Sequence, residues 1–224
     1  MKTLIRTFGV GVTLAIVGGS YLATAQQPPA APPQPMSFFI TSAGSGKGAD
    51  LGGIAGADRI CQTLATAAGS TKTFHAYLSQ PAGNGQAAVN ARDRIGAGPW
   101  FNAKGELLAN SLTELHARKG DSTVFVNERG EPINGQWVGS PAPVQHDIMT
   151  GSNADGTLMT GFTCGDWTSD STTTVAQVGH SDGFGANRDT SGSNSSWNSA
   201  HANQNCSNTA PRGGAGRIYC FAVN

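Results

Sequence analysis

The sequence predicts an α+β domain cross-linked by disulfides, and three observations predict it. Residues 54–68 carry apolar side chains at helical spacing. Short runs rich in aromatic and β-branched residues recur along the chain. Four cysteines, Cys61, Cys164, Cys206 and Cys220, form an even set in a chain that reads as exported. Nested pairing, Cys61 to Cys220 and Cys164 to Cys206, would tie the two ends of the domain together and staple a long polar loop.

The N-terminus reads as a signal peptide over residues 1–25. Lys2 and Arg6 precede an apolar run at 7–22, and Ala23-Thr24-Ala25 has the small-x-small form of a cleavage site. The apolar run falls short of the roughly 20 residues of a membrane span, so no span is expected after leader cleavage; an uncleaved anchor is the alternative. No cysteine follows the leader to carry a lipid. Residues 26–37 read as a Pro-rich linker. Residues 38–224 then make one domain, periplasmic or secreted. Without Lys2 and Arg6 the formal charge is −2, and no basic block exists, which argues against nucleic acid or heparin-like partners.

Phe38-Phe39-Ile40-Thr41 is strand-like. In the helix at 54–68, Ile54, Ala57, Cys61, Leu64, Ala65 and Ala68 share a face, and Gly69 ends it. Phe74 to Leu78 reads as a strand. Trp100-Phe101, the turn at 102–105 and Glu106-Leu107-Leu108 follow. Ser111 and Glu114 fit a capping box for a second helix to about Arg118. Residues 123–133 read as a hairpin, and 172–178 as a strand. Arg217 to Val223 is the terminal strand, carrying Cys220. From 136 to 208 the chain is mostly Gly, Ser, Thr, Asn, Asp and His. So long a polar stretch is disordered or functional; its tryptophans and cysteines favour order.

Several motifs carry chemistry. Gly179-His180-Ser181-Asp182-Gly183 has the spacing of a nucleophile elbow, but no helix follows it, as that serine requires. Gly44-Ser45-Gly46-Lys47-Gly48 lacks the flanking residues of a phosphate loop. Glu131-Pro132-Ile133-Asn134 approaches the calcium and sugar motif of C-type lectins, with Ile133 inserted. His146-Asp147, His180-x-Asp182 and His201 offer metal-type ligands without tight spacing. Asn153-Ala154-Asp155-Gly156-Thr157 is shaped like part of a calcium loop, or like a turn held by Asn and Asp side chains. Trp197-Asn198, flanked by serines, suits sugar stacking on an exposed indole. Trp167, next to Cys164, is expected to plug the core.

Six segments taken in order resemble a known family: Ala57-Asp58-Arg59-Ile60-Cys61-Gln62, His75-Ala76-Tyr77-Leu78-Ser79, residues 101–108, residues 151–156, Cys164-Gly165-Asp166-Trp167-Thr168-Ser169 and Arg217-Ile218-Tyr219-Cys220. The order resembles the endostatin domain of collagens, and more closely the exported bacterial proteins labelled lectins. The resemblance implies a C-type-lectin-like α+β fold, with two short helices on a twisted, mainly antiparallel sheet, and nested disulfides. Endostatin's zinc histidines and arginine patch have no counterparts here, so neither activity carries over.

The expected function is therefore non-enzymatic: glycan or glycoconjugate recognition by a loop face of Trp197, Asn198, His201, His180, Asp182, His146 and Asp147. A protein-binding adhesion module on the same face is the alternative. Calcium or zinc would find candidate ligands at Asn153, Asp155, His146 and His180.

Overall fold

The computed structural model describes residues 34–83 and 85–223. The expected signal peptide, and the linker as far as residue 33, lie outside the described residues. The chain is α+β, with few helices against a mixed sheet and two disulfides.

The sheet is organised by its last strand. In chain order the elements are β1 (Phe38–Ile40), α1 (Gly53–Ala67), β2 (Phe74–Ala76), β3 (Trp100–Phe101), β4 (Leu107–Ala109), α2 (Leu112–Ala117), β5 (Asp147–Met149), β6 (Gln177–His180), β7 (His201–Ala202) and β8 (Gly214–Ala222). The six-stranded sheet runs β1-β8-β5-β6-β7, with β2 also on β8, while β3 and β4 form a separate ribbon. Every pairing in the large sheet is antiparallel except β5 with β8. Three of its strands, β5, β6 and β7, lie inside the polar stretch.

Alternation along β8 divides the core in two. Ile218, Cys220 and Ala222 join α1 residues Ala57, Cys61 and Ala65 on one face. Tyr219 and Phe221 point the other way, into a cluster with Phe38, Tyr77, Trp100, Phe125 and Trp197. A period of two on a strand buried on both faces produces this division.

Helix α1 has the apolar face its spacing predicts, and its polar positions also have work. Asp58 Oδ1 accepts from the Ala76 N–H, and Gln62 Oε1 accepts from the Phe74 N–H, so the helix holds β2 by its off-stripe side chains. Cys61 pairs with Cys220, and Cys164 with Cys206. Helix α2 is capped as expected, the Ser111 hydroxyl accepting from the Glu114 N–H. Glu114 reaches back one residue further than a capping box requires, to the Asn110 N–H.

Two local expectations change. The hairpin at 123–133 is a tight loop with a single bridge, Val126 to Pro132, because Asn127 draws Arg129 and Glu131 backbone N–H groups onto its own side chain. The strand expected at 172–178 forms instead as β6, shifted toward the histidine.

Candidate functional site

Strands β5 and β6 bring the site together. Their antiparallel register sets Asp147 directly across from His180, and β6 with β7 sets Val178 across from His201. His146 precedes β5, and its carbonyl accepts from the Ser181 N–H. Asp182 follows β6 and accepts from His146 Nδ1 at 2.7 Å. Five of the expected residues, His146, Asp147, His180, Asp182 and His201, therefore meet at one end of the sheet.

Distances within the group are short. His180 Nε2 lies 2.9 Å from His201 Nε2. Asp147 Oδ1 lies 3.4 Å from both His146 Nε2 and His180 Nε2, and Oδ2 lies 3.7 Å from His201 Nε2. The His146 and His180 rings stack with centroids 4.6 Å apart. Ligand atoms of His146, Asp147 and His180 all fall within 4.8 Å of one another, close enough to share a metal ion. Asp147 is buried, and neither of its oxygens has a hydrogen-bond partner.

Burial dominates the electrostatics. Desolvation pushes the Asp147 carboxyl up to about 6, partly offset by the neighbouring His201 and His146. Desolvation, with His146 beside it, pushes His180 down to about 4. Burial also works against the charge of Asp182. Hydrogen bonds from His146 and from the Gln136 and Phe184 backbone outweigh it and leave this carboxyl below its ordinary value.

An open cleft of about 710 Å³ lies above the group, with His146, His180 and His201 in its wall. Its rim brings polar groups that sequence reasoning missed: Gln136, Asp189, Asn194 and Arg212. Asn194 and Asp189 stand in the polar stretch without a motif to single them out. Arg212 arrives on a short 3-10 turn, Ala210–Arg212, just before β8.

Four expected residues lie elsewhere. Trp197 is fully buried in the aromatic cluster, its indole N–H donating to Leu115 O. It has no free face for a sugar, because Phe125, Tyr77 and Tyr219 pack around it. Asn198 is buried too, and its amide donates to the Tyr77 hydroxyl and to the carbonyls of Asn153 and Ala154. Asn153 and Asp155 hold a turn: Asp155 Oδ1 accepts from both the N–H and the hydroxyl of Thr157, and the Asn153 amide donates to Thr157 Oγ1 and Leu158 O. Trp167 plugs the core against the Cys164–Cys206 region, as expected.

The elbow-like motif has a packing explanation. A Cβ on Gly179 would meet the Trp197 carbonyl oxygen at 1.9 Å. Gly183 (φ +73°) turns the chain against Gly120, where a Cβ would meet the Gly120 oxygen at 2.4 Å. The glycines permit close backbone approach. Ser181 is buried, and none of the described histidines hydrogen-bonds to its hydroxyl.

No helix among the described residues is long and apolar enough to cross a membrane. No family model matches the chain, and a search of the curated proteins finds none with significant similarity.

Proposed function

We propose that this chain is an exported carbohydrate-binding protein with a C-type-lectin-like fold, and that the cleft above His146, His180 and His201 is its binding face. One observation carries the reading: five chemically matched side chains from separate stretches of the polar region converge beneath an open cleft with a polar rim. Gln136 and Asn194 offer amides, Asp189 a carboxylate and Arg212 a guanidinium. Such a set suits a hydroxyl-rich ligand bound by hydrogen bonds. With Trp197 in the core, recognition proceeds without its indole as a stacking wall. The pairing of first and last strands, the bridge from α1 to β8 and the loop tied by Cys164–Cys206 support the fold assignment.

Binding rather than catalysis is favoured by the burial of Ser181. Two disulfides suit an oxidising compartment, the periplasm or the exterior.

A glycan array probed with the purified protein, with and without chelator, tests the reading. One glycan class should bind, and Arg212→Ala and Gln136→Ala should weaken it several-fold while leaving the melting temperature unchanged. Absence of binding to every glycan under both conditions would overturn the reading. Capture of a protein partner that free sugars fail to displace would replace it with the adhesion alternative.

A further inference from the structure

We infer that His146, Asp147 and His180 form a centre for a zinc-class divalent cation, and that His201, beside His180 at the cleft, closes on it as the fourth ligand. The inference does not depend on the glycan reading.

Hydrogen bonding at the far side of each ring fixes which nitrogen is free. His180 Nδ1 faces Asn194 O at 2.8 Å, and His201 Nδ1 faces Ala202 O at 2.8 Å. Carbonyl oxygens only accept, so both Nδ1 atoms carry protons. His146 Nδ1 faces Asp182, whose carboxylate also accepts from the Gln136 and Phe184 N–H groups. His146 Nδ1 is thus a donor as well. In each neutral ring the remaining nitrogen, Nε2, presents a lone pair.

These three nitrogens flank Asp147, with the His146 and His180 rings stacked nearly parallel beside it. The result is a group of acceptors without a donor, buried except at His201: Nε2 of His180 and His201 at 2.9 Å, and Asp147 oxygens at 3.4, 3.4 and 3.7 Å from the three rings. Both Asp147 oxygens are buried and unpartnered, which is costly for a carboxylate. A proton between His180 and His201 would satisfy that pair and leave His146 and Asp147 facing each other. A divalent cation bound by His146, Asp147 and His180 satisfies the buried acceptors, with His201 Nε2 2.9 Å from His180 Nε2 to complete the set.

Size and chemistry select the cation. Zinc–nitrogen bonds of about 2.0–2.1 Å in a tetrahedron place the ligand atoms about 3.3 Å apart. The separations from Asp147 Oδ1 to His146 and His180, both 3.4 Å, match that value, and all three ligand atoms lie within 4.8 Å of one another. Calcium and magnesium prefer all-oxygen shells, which three imidazoles do not supply. Each histidine is oriented by an outer acceptor, the arrangement metal-binding imidazoles use. The fourth ligand, His201, is 30% exposed at its side chain and faces the cleft, which provides an entry path.

The test is titration of chelator-stripped protein with zinc chloride by calorimetry, together with cobalt(II) absorption and 15N NMR of the histidine rings. One zinc per chain should bind, cobalt should give a tetrahedral visible spectrum, and the metal should sit on Nε2 with protons on Nδ1. His201→Ala, on an edge strand, should retain the fold by circular dichroism and lose at least tenfold in zinc affinity. Asp182→Asn should lose roughly 10–100-fold by disordering His146, and His75→Ala should lose nothing. Sub-stoichiometric zinc uptake by the parent chain, full affinity in folded His201→Ala, or protons found on Nε2 in the presence of zinc would each overturn the centre.

Discussion

Trp197 shows how one side chain's role turns on burial. Its neighbours Ser195, Ser196 and Ser199 give the local sequence a polar, exposed character, yet the indole lies fully buried between Phe125, Tyr77 and Tyr219. Trp197→Ala should therefore cost about 3–5 kcal/mol of stability, as buried aromatic truncations do, measured by urea denaturation. An unchanged midpoint would show that the ring does not hold the core. Asp155 makes a smaller, pH-dependent contribution. Its bonds from the Thr157 hydroxyl and N–H hold its carboxyl below the ordinary value of 3.8. A carboxyl depressed in the folded state stabilises above its unfolded value and loses that contribution as pH falls through the folded one. Asp155→Ala should lower the melting temperature at pH 7, and the gap from the parent should narrow as the pH falls below the ordinary carboxyl value. A gap independent of pH would remove the charge from the explanation.

At the scale of elements, β6 carries the site because it can approach the 197–198 segment closely. Gly179 stands against the Trp197 carbonyl, and His180 follows it, with its N–H donating to Ser196 O. Gly179→Ala should push β6 away from that segment, costing roughly 1–3 kcal/mol as overpacking does. Because His180 moves with the strand, zinc and cleft-ligand affinity should fall more than the stability loss alone predicts; parallel calorimetry and thermal melts on the variant measure both. Equal affinity in the folded variant would mean that β6 placement is not what positions His180. The left-handed turn at Cys164–Trp167, with φ of 49°, 59° and 65° at Cys164, Asp166 and Trp167, is another local exception. L-residues seldom adopt that conformation. Here the disulfide to Cys206 and the bond from the Trp167 indole N–H to Ser79 O hold it.

The whole molecule is closed by two cross-links of unequal reach. Cys61–Cys220 spans 159 residues and ties α1 to the central strand. In the chain-entropy model such a loop is worth about 5 kcal/mol. Cys164–Cys206 spans 42 residues and is worth about 4 kcal/mol in the same model. It lies just beyond β7, between His201 and the Ala210–Arg212 rim of the cleft. The Cys164→Ser/Cys206→Ser pair should raise hydrogen exchange first in residues 201–213, before β8 and α1. The Cys61→Ser/Cys220→Ser pair should lower protection across the whole sheet. Identical exchange patterns in the two double variants would contradict this division.

By itself the sequence determined the elements whose signals are local. The apolar stripe of α1, the Ser111 cap of α2, the strand around Cys220 and the even cysteine set are each written in a few neighbouring residues, and each has its expected structural counterpart. The polar stretch was also marked as the place of interest, and five of its residues do meet. Tertiary structure alone decided which of them meet. Trp197 and Asn198 turn into the core, Asn153 and Asp155 hold a turn, and Asp147 and three histidines converge at β5, β6 and β7, of which the sequence marked only β6, by the strand read at 172–178. Burial and convergence depend on pairings between segments far apart in the chain, such as Asp147 with His180 and with Gly214, and no local spacing encodes those contacts.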